Sequence, residues 1–181
     1  MNRRPGGSLD ASGLYRYLPL LLAVLHLLVL VLVVVATPTD VFQPRRLSGF
    51  STCASMFGWK PCGAHSVSAD FECGIASIMS AAAAFAIISI LLAATAFVVL
   101  VLSAFDVFKR PLVVLVVDGV ASLTMLISWG CVAGAFNQGT CAILPRGSIS
   151  YTYNYGASFG LMVAAWALEL VAIVGLLFLP M

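Results

Sequence analysis

Four long apolar segments, separated by polar ones, dominate the chain. About 20 helical residues cross the roughly 30 Å of hydrocarbon in a bilayer, so each segment is long enough to span a membrane. The second segment exceeds that length, and we expect it to tilt or to project beyond the membrane. The segments cover residues 17–36, 75–105, 112–136 and 159–179. The pattern predicts an all-α membrane protein in which residues 1–181 form a single domain of four transmembrane helices.

The first apolar segment could instead be the core of a signal peptide. Such a core spans about 7–15 residues and is followed by a small-residue cleavage site. The leucine and valine run of residues 17–36 is longer than that. We therefore interpret it as a retained transmembrane helix.

The polar segments predict which side of the membrane each loop occupies. Four of the five cysteines fall in the loops 37–74 and 137–158, and none falls in the segments 1–16 and 106–111. Disulfides persist in oxidising compartments. Lysine and arginine, which favour the cytoplasmic side, divide five to four in the same sense. We expect both termini in the cytoplasm, both long loops outside, and delivery to the plasma membrane through the secretory pathway.

Composition supports a membrane protein and argues against nucleic-acid binding. The chain is 62% hydrophobic and 9% charged, whereas soluble domains carry about 25% charged residues. The lipid bilayer is therefore the first expected partner. The net charge is +2 and there is no long basic run, so no nucleic-acid partner is predicted.

The loop cysteines are Cys53, Cys62, Cys73 and Cys141. Four cysteines allow three pairings, and the sequence does not choose among them. One pairing joins Cys62 to Cys73 across a short loop and Cys53 to Cys141 between the two loops. Zinc bound by these thiols is an alternative, but the spacings match no C-x-x-C motif. We predict structural disulfides, no metal site and no cofactor, with Cys131 of the third segment as a free thiol.

Three ionisable residues lie within the apolar segments: His26, Asp118 and Glu169. Such groups are costly in lipid and are candidates for function. Counting about 1.5 Å per helical residue places His26 and Glu169 near the midplane and Asp118 about 9–10 Å from the cytoplasmic side. They could form a proton or ion path, or a buried hydrogen-bonded set that fixes the helices. Transporters usually show repeats and broken helices; the absence of both here favours the second interpretation.

Small and aromatic residues suggest further contacts. Gly130 and Gly134 form a G-x-x-x-G pattern, which predicts close helix packing in the third segment. Alternating aromatic and β-branched residues predict a strand over 148–155. Phe57, together with Trp59, Tyr151, Tyr153 and Tyr155, could form a contact surface or the core of a small sheet. No catalytic motif and no N-glycosylation sequon is present, so an enzyme is not predicted.

Two patterns in the first loop resemble known families. The residues F-G-W-K-P-C at 57–62, followed after ten residues by Cys73, resemble the first-loop signature of the claudin and peripheral myelin protein superfamily. The signature of the amastins, surface proteins of trypanosomatid parasites, resembles the set Cys53, Ser55, Phe57, Gly58, Trp59 and Lys60. Stretches 85–90, 155–160 and 164–166, with Glu169, also resemble amastins.

The resemblance implies a left-handed four-helix bundle, claudin-like, with a small disulfide-pinned extracellular β-sheet and a Cys62–Cys73 bond. It implies a non-enzymatic cell-surface protein whose loops contact a host protein, another membrane, lipid or a second copy in a homo-oligomer. Two alternatives remain at this point. One is proton or ion transport through His26, Glu169 and Asp118, and the other is a claudin-like structural or adhesion element.

Overall fold

The computed structural model describes residues 11–45, 51–64, 66–71, 74–105, 111–137 and 149–177. Four helices account for most of them, and each contains a stretch that is long and apolar enough to cross a membrane. The helices are α1 (Ala11–Ala36), α2 (Gly74–Ala104), α3 (Pro111–Asn137) and α4 (Ala157–Leu177). The predicted four-helix membrane fold is confirmed.

Local chemistry explains where several helices begin and end. The hydroxyl of Thr37 donates to the carbonyl of Val33 at 2.8 Å, and that of Thr39 donates to Ala36 at 3.0 Å. The Thr39 bond satisfies a carbonyl of the last turn of α1, and the Thr37 hydroxyl adds a second bond to the Val33 carbonyl, which also accepts from the N–H of Thr37 at 3.1 Å. Proline lacks an N–H and suits the first helical position, where Pro111 stands in α3. At 31 residues, α2 is about 46 Å long and exceeds the hydrocarbon layer, as predicted.

The helices pack in a ring in chain order. Each helix contacts the next one, and α4 returns to contact α1. Therefore α1 and α3 lie diagonally opposite each other. Fully buried small residues line the inner face of α2, which lets neighbouring backbones approach closely; they are Ala82, Ala86, Ser89, Ala93 and Ala96.

The close packing predicted at Gly130 and Gly134 is wrong. Gly130 is exposed and Gly134 is half-buried, and among the described residues no atom of another helix or loop lies within 4 Å of the position that a Cβ would occupy at either glycine. The pattern lies on the outer face of α3. A G-x-x-x-G pattern specifies a small surface on a helix, but the direction of that surface depends on how the helix is rotated in the bundle.

A four-stranded antiparallel sheet covers one end of the bundle. Its strands are β1 (Phe42–Pro44), β2 (Thr52–Ala54), β3 (Trp59–Pro61) and β4 (Tyr153–Tyr155), in the order β3-β2-β1-β4. The register pairs Phe42 of β1 with Tyr155 of β4. Since β4 precedes α4 and the other strands follow α1, both loops meet at the same end of the bundle, which we call the sheet end.

The strand predicted over 148–155 is shorter in the structure. Residues Ile149–Tyr151 form a 3₁₀ turn, closed by the N–H of Thr152 donating to the carbonyl of Ile149 at 3.0 Å. Only Tyr153–Tyr155 pairs with β1, which is itself three residues long. Alternation of side chains therefore indicated the strand but not its length.

Buried apolar side chains form two separate clusters. The sheet-end core is the larger one and contains Phe42, Met79, Met125 and Met162, all fully buried. The far core lies at the other end of the bundle and consists of Leu22, Ala23, Leu100, Val114 and Leu176. Many leucine and valine side chains outside these cores are exposed, as expected for helices whose solvent is lipid.

The junction before α4 joins the sheet to the bundle without room for a side chain. The N–H of Gly156 donates to Val41 at 2.6 Å, and the hydroxyl of Ser158 donates to Ala36 at 2.6 Å. A Cβ on Gly156 would collide with the carbonyl oxygen of Asp40 and lie 3.2 Å from the carbonyl carbon of Val41.

We expect Gly156→Ala to lower the free energy of unfolding by about 1–3 kcal/mol, because the backbone of residues 40–41 must move. Gly160→Ala is the matched control, since nothing lies within 4 Å of its Cβ position and alanine favours a helix. Denaturant unfolding of the purified protein in mixed micelles measures both. Equal stability of the two variants would contradict the packing described at this junction.

Candidate functional site

The segment 52–62 is a β-hairpin held by a disulfide. Strands β2 and β3 pair with Cys53 opposite Lys60, and the N–H of Cys62 donates to Ser51 at 3.3 Å. This register places Cys62 diagonally across from Cys53, with 4.8 Å between the Cα atoms, and the two form a disulfide. The bond therefore closes the open end of the hairpin.

The predicted pairing of Cys62 with Cys73 and of Cys53 with Cys141 is wrong, because Cys53 and Cys62 are bonded to each other. Cys73 and Cys141 lie outside the described residues. The signal for the observed pair was a turn between two short extended segments, which brings cysteines nine positions apart together. Cys131 is a free thiol in α3, as predicted.

The hairpin turn depends on Ser55 and Gly58. The Ser55 hydroxyl donates to the Gly58 carbonyl at 3.1 Å and accepts from the N–H of Phe57 at 3.2 Å. Gly58 has φ of 154°, and a Cβ there would lie 2.6 Å from the carbonyl oxygen of Ala69. Glycine is required at this position because any other residue would be strained and would clash.

Lys60 anchors the hairpin to the end of α1. Its ammonium lies 2.9 Å from the carboxylate of Asp40 and donates to the carbonyl of Pro38 at 3.0 Å. The lysine is only 4% exposed. A buried charge needs such an ion pair and further hydrogen bonds to offset its lost hydration. Lys60 is therefore a structural residue of the sheet end.

The aromatic residues of the sheet divide between core and surface. The ring of Trp59 is half-buried and lies 5.5 Å from Phe71 and 5.4 Å from Tyr153. Tyr153 is 5% exposed, so the contact role predicted for it is wrong: its position in β4 turns the ring towards Trp59. The side chain of Tyr151 lies outside the described part of the structure.

Tyr155 remains a surface residue. Its ring stacks on Phe136 at 4.1 Å and on Phe159 at 4.2 Å, where α3 ends and α4 begins. It is 38% exposed, and its partial burial raises the pKa of its phenol. Aromatic residues favour the boundary between hydrocarbon and headgroups, which is where this stack stands in a bundle of four spanning helices.

Phe57 differs from the other residues of its segment. Its side chain is 46% exposed and forms one wall of a groove of about 440 Å³ between the hairpin turn and α2. We call this the Phe57 groove. The remaining lining residues are Met56, Asp70, Phe71, Ala76, Ser80, Ala83, Ala84 and Ile87.

A second site lies inside the bundle, where the polar cluster joins three helices. It consists of His26 of α1, Asp118 of α3 and Glu169 of α4, all fully buried. The Nε2 atom of His26 lies 3.0 Å from Asp118 Oδ2 and 3.9 Å from Glu169 Oε2. The Nδ1–H of the same ring donates to the carbonyl of Leu22 at 2.9 Å. Side chains thus bridge the two helices that lie diagonally across the ring.

The predicted position of Asp118, away from the level of His26 and Glu169, is wrong. That prediction assumed helices that start at one plane and run straight across the membrane. In the structure, the differing lengths and starting positions of the helices bring all three side chains to one level. Asp118 is consequently the carboxylate nearest to His26 Nε2, and Glu169 lies slightly farther away.

The polar cluster stands between the two apolar cores. Leu22 of the far core lies one turn from His26, and Val29 of the sheet-end core lies on its other side. Alanine occupies the position three residues after each acid, at Ala121 and Ala172, and both are fully buried. These small side chains share a helix face with the carboxylates.

Further polar contacts join α2 to α3 and were not predicted. The Ser89 hydroxyl donates to that of Thr124 at 2.9 Å, and Ser128 donates to the carbonyl of Ala82 at 2.8 Å. Serine and threonine are common in apolar helices, so no sequence pattern singled these residues out. Their role depends on facing a neighbouring helix.

Residues 27–176 match the family model of the amastin surface glycoproteins. The chain belongs to the amastin family. The match includes the disulfide-closed hairpin, the sheet and two of the three residues in the polar cluster. No individual curated protein matches the chain. Amastins are a surface glycoprotein family rather than an enzyme family. Together with its four apolar helices, this membership makes the chain a membrane surface protein.

Peptide mapping of the thiol-blocked protein without reduction should recover Cys53 and Cys62 in one linked species. Cys53→Ser should lower the free energy of unfolding by about 2–4 kcal/mol, a typical effect of losing a disulfide. Cys131→Ser, which removes a free thiol, is the control and should change stability little. Recovery of a Cys62–Cys73 species from the folded protein would contradict the hairpin bond.

Proposed function

We propose that this chain is a non-enzymatic surface protein of the plasma membrane that associates laterally with a second copy of itself through the Phe57 groove. The sheet end would lie outside the cell and both termini in the cytoplasm. The Cys53–Cys62 bond supports this orientation, because disulfides persist on the oxidising side of the secretory pathway.

The observation that carries the proposal is the exposure of Phe57 within the motif of residues 53–60, which resembles the amastin signature. Every other member of that motif serves the hairpin itself, through the disulfide, the turn, the Trp59 packing or the Lys60 ion pair. Phe57 is 46% exposed, so contacts among the described residues do not explain a large apolar side chain there. A contact outside the chain does explain it.

The depth of the groove limits what can fill it. Its wall on α2 includes Ala76, Ser80 and Ala84, which belong to the candidate span Ile75–Ser103. An occupant must therefore enter the membrane, which favours a lipid chain or a transmembrane helix over a soluble protein. Small side chains let a helix backbone approach closely. A fluid lipid chain gains less from such a surface, so a helix is the better fit.

A second copy is the partner that is always present in the same membrane. Its helices expose leucine and valine along most of their outer faces, for example Leu21, Val24 and Leu28 of α1. These side chains would pack against the alanine and serine residues that line the α2 side of the groove. In lipid, the hydrophobic effect does not drive transmembrane helices together. They associate instead by close packing of large side chains against small ones.

We expect Ala84→Phe to reduce dimers several-fold, because a ring at this exposed position fills the groove without entering the bundle. Ile88→Phe is the matched control: it is 43% exposed on the same helix and does not line the groove. Subunit counting in vesicles at a fixed protein-to-lipid ratio measures the dimer fraction. Equal dimer fractions for both variants would contradict this contact.

The outward-facing Gly130 and Gly134 offer a rival surface for the same association. Gly130→Leu in the same assay separates the two faces. Loss of dimers in this variant alone would move the contact to α3. A wild-type protein that stays monomeric at all densities would contradict lateral association itself. Contact of the sheet end with a host protein or another membrane stays a prediction from the family resemblance.

Transport of protons or ions is the second candidate function, and the polar cluster favours it. The two apolar cores argue against it, because they separate the cluster from both ends of the described bundle. We expect vesicles with the wild-type protein to show no more proton flux than protein-free vesicles under an imposed potential. A flux that Glu169→Gln abolishes, while Ser122→Ala keeps it, would favour transport instead.

A further inference from the structure

We propose that the polar cluster binds one divalent first-row metal ion, with zinc as the best fit, through His26 Nε2 and the carboxylates of Asp118 and Glu169. The inference is independent of the lateral contact proposed above, since the Phe57 groove and the cluster share no residue. It assigns a chemical role to the three groups that the surface function leaves unused.

The ligand atoms already stand close enough to share an ion. One atom from each of His26, Asp118 and Glu169 lies within 4.8 Å of the other two. Ligands about 2.0–2.2 Å from a tetrahedral zinc are separated from one another by roughly 3.3–3.6 Å. The observed separations from His26 Nε2, 3.0 Å to Asp118 and 3.9 Å to Glu169, bracket that range. Small rotamer shifts would complete the site.

The carboxylates lack the partners that buried anions require. Among the described residues, no protein group donates a hydrogen bond to Asp118 Oδ1 or to either oxygen of Glu169, although all three atoms are buried. Unpaired buried polar atoms are rare in native proteins because leaving them unsatisfied is costly. A cation bound at the centre of the cluster would satisfy them at once.

The histidine is oriented as metal-binding histidines usually are. Its Nδ1 atom faces the carbonyl of Leu22 at 2.9 Å, and a carbonyl can only accept, so Nδ1 carries the proton. In the neutral ring the lone pair then lies on Nε2, which points at the carboxylates. A backbone carbonyl that holds the distal N–H in this way fixes both the tautomer and the ring plane of metal ligands.

Charge balance favours a divalent ion. Two carboxylates beside a neutral imidazole carry two negative charges, and α2, α4 and α3 contain no lysine or arginine to offset them. The only basic residue of α1, Arg16, lies more than two turns before His26 in sequence. A divalent cation makes the cluster neutral, which matters in a low-dielectric bundle where net charge is expensive.

The ligand set also selects the class of metal. One imidazole and two carboxylates suit zinc, manganese or iron, whereas calcium prefers six to eight oxygens and copper(I) prefers sulfur. Three protein ligands with a fourth position for water or a second carboxylate oxygen are typical of zinc.

The test titrates Zn²⁺ into the full chain in phosphatidylcholine nanodiscs, with free thiols blocked and native disulfides kept. We expect about one zinc per chain, and at least a ~10-fold weaker affinity in Asp118→Asn and Glu169→Gln, as loss of metal-site interactions usually gives. Ser122→Ala, one turn from Asp118, and His65→Gln, in the cysteine-rich loop, should bind zinc as the wild type does.

Cobalt(II), added to protein whose free thiols are left unblocked, provides a second readout that needs no variant. Bound at this site, it should give visible d–d absorption without thiolate-to-metal charge transfer, since no cysteine is a ligand. Three results would overturn the proposal: no stoichiometric zinc in the wild type, zinc retained by Glu169→Gln, or a thiolate band together with loss of binding in His65→Gln. A thiolate band with loss of binding in His65→Gln would place the metal in the loop. No stoichiometric zinc in the wild type would mean that the cluster binds only protons.

Discussion

The cost of placing ionisable groups in hydrocarbon constrains this structure more than any other factor. Asp118 and Glu169 are the only acids in the four helices, and each lies on the inner face of its own helix, where His26 can reach it. Because α1 and α3 are diagonal neighbours, the 3.0 Å contact between His26 and Asp118 passes through the centre of the bundle. This contact fixes how α1 and α3 are rotated about their own axes. The small residues of α2 pack against both helices.

The polar groups of the sheet end must also be satisfied, and here strand pairing, an ion pair and hydrogen bonds to the helices satisfy them. Each of its strands has only three residues, and strands this short have little stability alone. The sheet holds because it is tied to the helices at several points: the Lys60–Asp40 ion pair, the bond from Ser158 to Ala36, and the close approach of Gly156 to residue 40. It is therefore a rigid extension of the bundle.

The motif of residues 53–60 contains residues that stabilise the hairpin and one residue, Phe57, whose side chain is exposed. Cys53, Ser55, Gly58 and Lys60 all act within the chain. The sheet end, tied to the bundle in this way, holds Phe57 beside α2. A preformed surface loses little entropy when a partner binds, which favours the lateral contact proposed at Phe57.

Apolar segment lengths and a short motif were enough to predict the four helices, their approximate ends and the family. Hydrocarbon length is a one-dimensional property, so counting apolar residues was enough, and the resemblance at 53–60 rested on residue identity alone. The Cys53–Cys62 bond could not be predicted, because it depends on the register of the hairpin. The burial of Tyr153 could not be predicted either, because it depends on which face of the sheet meets Trp59. The tertiary structure also decided the outward direction of Gly130 and the meeting of His26 with Asp118. Those depend on helix rotation and tilt, which are set by packing between segments far apart in the chain.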